Sequence, residues 1–145
     1  MRTLILALVA GVAASACSSS IDEPASARTA MLTVVFDGHP SDTMVVLATD
    51  PATIAAAEAY VRTGTGPRLV TGQIVRGAGV DPRYPFHFVP ESVRLADFAM
   101  EICDGAPMRT SKDLDDFFGW ATGSPNSPTA PWCPWGSSPV GVVKQ

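Results

Sequence analysis

Two imidazoles, three thiols, fourteen carboxylates and the hydroxyls carry whatever chemistry this chain can do, and their spacing narrows the choice. His39 and His87 stand 48 residues apart, and the sequence contains no H-E-x-x-H, C-x-x-C or aspartate-rich calcium loop, so no metal and no cofactor is expected. Gly64-Thr65-Gly66 and Gly77-Ala78-Gly79 lack the Lys-Ser/Thr that follows a phosphate-cradling loop, and they read as turns. His87, Glu101 and Asp104 have the composition of a base with orienting carboxylates, and Ser92 or Ser111 would be the nucleophile. His87 is flanked by Phe86 and Phe88 in a strand-like run, however, where an imidazole holding one hydrogen bond is the ordinary structural role. No catalytic residue is assigned, and the chain is expected not to be an enzyme.

The thiols say more. Arg2 and the amino terminus precede a continuous apolar run over residues 4–14, and Ala14-Ser15-Ala16 supplies the small residues that a signal peptidase requires before Cys17. The run is about a dozen residues long, against the roughly 20 needed to cross a bilayer core, so it reads as a processed export signal. Cys17 at the cut reads as the acylated residue of a lipoprotein box; the same small residues also fit an ordinary cleaved signal. Cysteine parity favours acylation, because it leaves Cys103 and Cys133 as one even pair in a compartment where thiols are paired or modified. Each buried methylene contributes about 0.8 kcal/mol, so two or three acyl chains anchor the protein for good. With Ser18 after the cysteine, the expected address is the cell envelope: the outer membrane of a two-membrane cell, or the outer face of the plasma membrane in a cell with one.

Loss of residues 1–16 would leave 129 residues with a net charge of about −5, enough chain for one domain with one core. Lys112 and Lys144 are the only lysines, which argues against nucleic acid and against a polybasic grip on lipid. Residues 18–30 are small, polar and aperiodic, a tether spanning roughly 20 Å. The expected organisation is a signal over residues 1–16, a lipidated cysteine and tether over 17–30, and a single domain over 31–145.

The elements that would position these groups can be read from pattern. Residues 31–36 and 43–49 are β-rich runs about a turn-rich stretch and read as a hairpin. Asp50-Pro51 places a capping carboxylate and a first-turn proline before an alanine-rich helix over residues 52–62, with Ile54, Ala57 and Val61 as its inward stripe. Residues 69–75 read as a third strand with Gly72 as a bulge or close-approach point, and residues 85–89 as a short fourth. Residues 91–104 fit two patterns. With period two, Phe98, Met100 and Ile102 share a strand face; as a helix, Arg94, Asp97, Glu101 and Asp104 make a polar stripe, which periodicity slightly favours. Residues 107–118 read as an acidic second helix, residues 119–136 as coil, and residues 140–143 as an edge strand.

The order Thr49-Asp50-Pro51, Gly72-x-Ile74-Val75, Tyr84-x-Phe86-His87-Phe88-x-Pro90, Ser92-Val93, Glu101-Ile102-Cys103-Asp104 and Trp132-Cys133-Pro134-Trp135-x-Ser137 resembles the N-terminal domain of the slime-mould calmodulin-binding protein and its secreted bacterial and fungal relatives. The resemblance runs over residues 43–140 and implies a strand over residues 92–103. The chain departs from that pattern at Val89, where relatives tend to carry Asp, and at Tyr84-Pro85, where Trp-Ser is common, so a role of that carboxylate has no counterpart here. Calmodulin is not an expected partner: it takes basic amphipathic helices, whereas the helix read here carries Asp113, Asp115 and Asp116 with Lys112 as its one lysine.

The chain is thus expected to be an α+β domain, a mostly antiparallel sheet of about five strands with two helices, stapled by a Cys103–Cys133 disulfide. Closing that loop would contribute about 3–4 kcal/mol. Trp120, Trp132 and Trp135 gather near the closure and are either core lids or a binding surface. The leading expectation is a membrane-anchored, non-catalytic binding module for an unknown envelope protein or ligand. A stapled inhibitor of exported proteases, built on residues 120–132, is second, and a small hydrolase third.

Overall fold

A computed structural model describes residues 29–36 and 39–145. The residues read as an export signal, Cys17, most of those read as a tether, and residues 37–38 of the first hairpin lie outside the described residues.

The chain opens with β1 (Ala30–Phe36), whose strict in-out alternation buries Ala30, Leu32, Val34 and Phe36, and turns back as β2 (His39–Ala48), which buries Met44, Val46 and Ala48. Helix α1 (Pro51–Thr63) follows. Its start is fixed by Asp50, whose carboxylate accepts from the Thr53 backbone N–H at 3.0 Å and the Thr53 hydroxyl at 2.6 Å, and its end by Gly64 at φ 68°. Ile54 and Ala57 pack inward as their spacing predicts, but Val61 is 43% exposed. β7 (Ser138–Lys144) packs against this helix, and the Lys144 ammonium at its end meets Glu58 at 2.7 Å.

β7 pairs with the other side of β1, giving the antiparallel order β2-β1-β7. The second sheet is organised on β3 (Leu69–Arg76), which pairs antiparallel with β4 (Phe86–Phe88), β5 (Arg94–Ala96) and β6 (Ala130–Trp132). Between β4 and β5 the 3-10 turn Pro90–Ser92 is looped out, so that residues 89–93 face only residues 72–73 of β3. Ser92 replaces the missing strand partner: its hydroxyl accepts from the Gln73 N–H at 2.8 Å and donates to the Val89 carbonyl at 2.7 Å. Gly72 lies close beneath it: a Cβ there would stand 3.0 Å from both Phe88 Cδ1 and Ser92 Oγ and would press on both, which bears out the close approach read from the sequence.

Two further helices complete the domain, α2 (Pro107–Lys112) and α3 (Leu114–Thr122). The α+β class, the antiparallel pairing and the disulfide are as expected, with the strands divided into sheets of three and four. The expected single helix over residues 107–118 is broken at Asp113, whose backbone (φ −121°, ψ 44°) leaves the helical region, and it resumes to Gly123 at φ 78°. Within the stretch read as coil, β6 forms because Ala130 and Trp132 are both fully buried against β3. The expected strand over residues 92–103 is confined to Arg94–Ala96, after which the chain leaves β3 and ends in the 3-10 turn Glu101–Cys103.

The loop before β4 is bolted to β2 by one buried carboxylate. Asp81 accepts from the Val45 N–H at 2.9 Å and from Arg83 Nη2 at 2.6 Å and Nε at 2.8 Å, while Arg83 Nη2 and the Tyr84 hydroxyl both donate to the Thr43 carbonyl. The Arg83 hydrogen bonds hold the Asp81 carboxyl below its ordinary value of 3.8, against the opposing effect of burial. A depressed carboxyl contributes stability that is present above the unfolded-state pKa and is lost as pH falls through the folded-state value. Asp81→Asn should therefore lower stability by about 1–3 kcal/mol at neutral pH. The gap in thermal midpoint should shrink once pH drops below about 4; a gap independent of pH would contradict this assignment.

Candidate functional site

The centre of the core is Trp132, fully buried among Phe36, Phe86 and Phe88 with ring centroids at 5.8, 5.1 and 5.2 Å. Its indole N–H donates to the Gly105 carbonyl at 3.1 Å, tying the segment before α2 to the core. Gly105 itself is wedged in: a Cβ there would lie 2.9 Å from Thr110 Oγ1 and 3.4 Å from Trp132 Nε1. Trp132 is therefore a core residue, a correction to its place in the candidate binding surface, because no partner can reach a side chain with 0% exposure.

Next to it, Cys103 and Cys133 are joined as a disulfide with Cα atoms 5.1 Å apart, reinforced by the Cys133 N–H donating to the Cys103 carbonyl at 2.7 Å. This staple carries Trp135. The Trp135 backbone N–H donates to Asp104 Oδ1 at 2.8 Å and its indole N–H to the Met100 carbonyl at 3.3 Å, yet the residue remains 46% exposed. The adjoining segment presents Phe98 (82% exposed), Met100 and Ile102 to solvent, the face that a full-length strand would have buried. Solvent-facing large apolar side chains on one short segment, beside an indole fixed in position, are the composition of an interaction surface.

On the other side of the Glu101–Cys103 turn lies an open cleft of about 670 Å³, walled by Glu101, Asp104, Arg109, Asp113, Asp116, Phe117 and Trp120 among others. Helix α3 forms its far wall. Phe118 enters the core, and Arg76 at the end of β3 holds the helix by lying 3.9 Å over the Phe118 ring while pairing with Asp115 at 2.6 Å. The helix then leaves Trp120 54% exposed, 6.1 Å from Phe117. Of the three tryptophans, two thus belong to the surface and one to the core. Position within the chain did not distinguish them; the β3 register at Trp132 does.

The residues considered for catalysis are not gathered. His87 Nδ1 donates to the Gly77 carbonyl at 2.8 Å and packs against Gly79, where a Cβ would come within 2.5 Å, and it does not line the cleft that holds Glu101 and Asp104. The Ser92 hydroxyl is engaged in the β3 loop-out, and that of Ser111 donates back to the Pro107 carbonyl at 2.7 Å. Among the described residues, no group of three or more His, Cys, Asp or Glu side chains is placed to hold a metal ion, and no helix is long and apolar enough to cross a membrane. The segment considered as an inhibitory strand is helical to Thr122 and is taken into the sheet from Ala130.

A sheet centred on β3 and a disulfide that ties the turn before α2 to the residue after β6 define a small stapled α+β domain. The model of one family, the N-terminal domain of calmodulin-binding protein 74, matches residues 30–145, and this chain belongs to that family. No curated protein and no solved structure matches the chain.

Proposed function

We propose that this protein is a non-catalytic binding module of the bacterial cell envelope, held at the membrane by acyl chains on Cys17, and that its recognition surface is the exposed rim of Trp135, Trp120, Phe98, Met100 and Ile102. The observation that carries the reading is Trp135, nearly half exposed although both of its N–H groups are bonded to the stapled segment. An aromatic side chain fixed before contact loses little entropy on binding, which is how rigid anchors gain affinity. Family membership supports the same reading at the level of a binding domain, and the calmodulin of the family's name is not carried over to this chain.

The test uses the full-length chain against envelope extracts. Trp135→Ala and Trp120→Ala should each weaken retention of a partner by more than about 1 kcal/mol while shifting the thermal midpoint by no more than a few degrees. His87→Ala should leave retention unchanged. Hydrolytic activity abolished by His87→Ala, or a partner indifferent to both tryptophans, would overturn the proposal. For the anchor, Cys17→Ser should abolish incorporation of a labelled fatty acid, since only the thiol accepts the lipid; label retained by the variant would contradict it.

A further inference from the structure

The cleft between the Glu101–Cys103 turn and helices α2 and α3 has walls of two kinds. One is aromatic, formed by Phe117 and Trp120. The other is anionic: Glu101, Asp104, Asp113 and Asp116 stand against the single guanidinium of Arg109. Among the described residues, none of these four carboxylates takes part in a salt bridge, whereas Asp115 and Glu58, outside the cleft, are paired with Arg76 and Lys144. Both walls favour the same visitor. A cation is attracted by an indole face and by carboxylates together.

The size of the surface selects among cations. The cleft, at about 670 Å³, holds more than one side chain; exposed Phe98, Met100 and Ile102 lie on the segment that supplies Glu101 and Asp104, and Trp135 is hydrogen-bonded to that segment. A small organic cation would fill the cleft and leave that rim in water. An anionic lipid surface would meet the carboxylates and be repelled. A polypeptide that alternates basic and apolar side chains satisfies both regions at once.

Resting on the reading that this surface binds, we infer that its occupant is a basic amphipathic segment of a partner polypeptide, whose Lys or Arg side chains enter the cleft between Trp120 and the carboxylates while its apolar side chains lie on the rim. The full-length chain is titrated, by fluorescence anisotropy, with a labelled amphipathic Lys/Leu peptide and with a Glu/Leu peptide of the same pattern. The Lys/Leu peptide should bind at least about tenfold more tightly, and its affinity should fall with added salt. The double substitution Asp113→Asn with Asp116→Asn, and separately Trp120→Ala, should each weaken it about fivefold or more, whereas Glu91→Gln, away from the cleft, should not. Equal affinity for the two peptides, or indifference to Asp113, Asp116 and Trp120, overturns the inference, as does binding of phospholipid vesicles through the same residues. Loss of an envelope partner on Trp135→Ala with no affinity for the Lys/Leu peptide would remove this inference and leave the binding-module reading standing; absence of both would remove both.

Discussion

Replacing Trp132 with alanine is expected to cost about 3–5 kcal/mol of folding stability and to lower the thermal midpoint by more than about 8 °C. The side chain is fully buried, meets three aromatic rings within 5.8 Å, and donates its only N–H to the Gly105 carbonyl. Truncation would open a large cavity where both sheets meet and leave that carbonyl without its partner. The rim should suffer as well, because Gly105 joins the Asp104 carboxylate that holds Trp135 to the start of α2. Thermal melts of Trp132→Ala beside Trp135→Ala check the assignment. A loss at Trp132 no larger than at Trp135 would mean that the core is not built around it.

Removing the staple should rank second. Cys103→Ser with Cys133→Ser releases a link across 30 residues and is expected to lower stability by about 3–4 kcal/mol on the chain-entropy account. The local consequence differs from that of a core cavity. The backbone bond from Cys133 to the Cys103 carbonyl and the two bonds of Trp135 all close on residues 100–104, so the exposed rim should loosen before the sheets do. Hydrogen exchange should therefore quicken most over residues 98–105 and 133–137, with little change in β1. Peptide mapping of the untreated protein should find the Cys103 and Cys133 peptides linked; free thiols there, or a midpoint unmoved by the double substitution, would contradict the assignment.

Legibility in the sequence followed the physics of each segment. β1 alternates strictly, and α1 carries a carboxylate cap, a first-turn proline and a terminal glycine, so local pattern was enough for both. The stretch from residue 91 to 104 was not legible, because its conformation is set by a loop-out on β3 and by a disulfide to a distant residue, neither of which leaves a period. The alternation of Phe98, Met100 and Ile102 has the form of a buried strand face, and the structure exposes it. β6 was missed for a related reason: a proline-rich run reads as coil, yet Pro131 is placed in the sheet opposite Gln73 by the burial of its neighbours. Of the candidate site, the cysteine pair followed from parity once Cys17 was set aside for the lipid, whereas the division of the tryptophans into one core and two surface residues required the register.

The central claim is that partners meet the rim around the staple. Hydroxyl-radical footprinting of the full-length chain, with and without envelope extract, reads that directly, since tryptophan, phenylalanine and methionine are the side chains that report. Protection should appear at Trp135, Trp120, Phe98 and Met100, with the modest reactivity of His87 unchanged. A rim that stays fully reactive while protection gathers around His87, or anywhere on β2, would contradict the account.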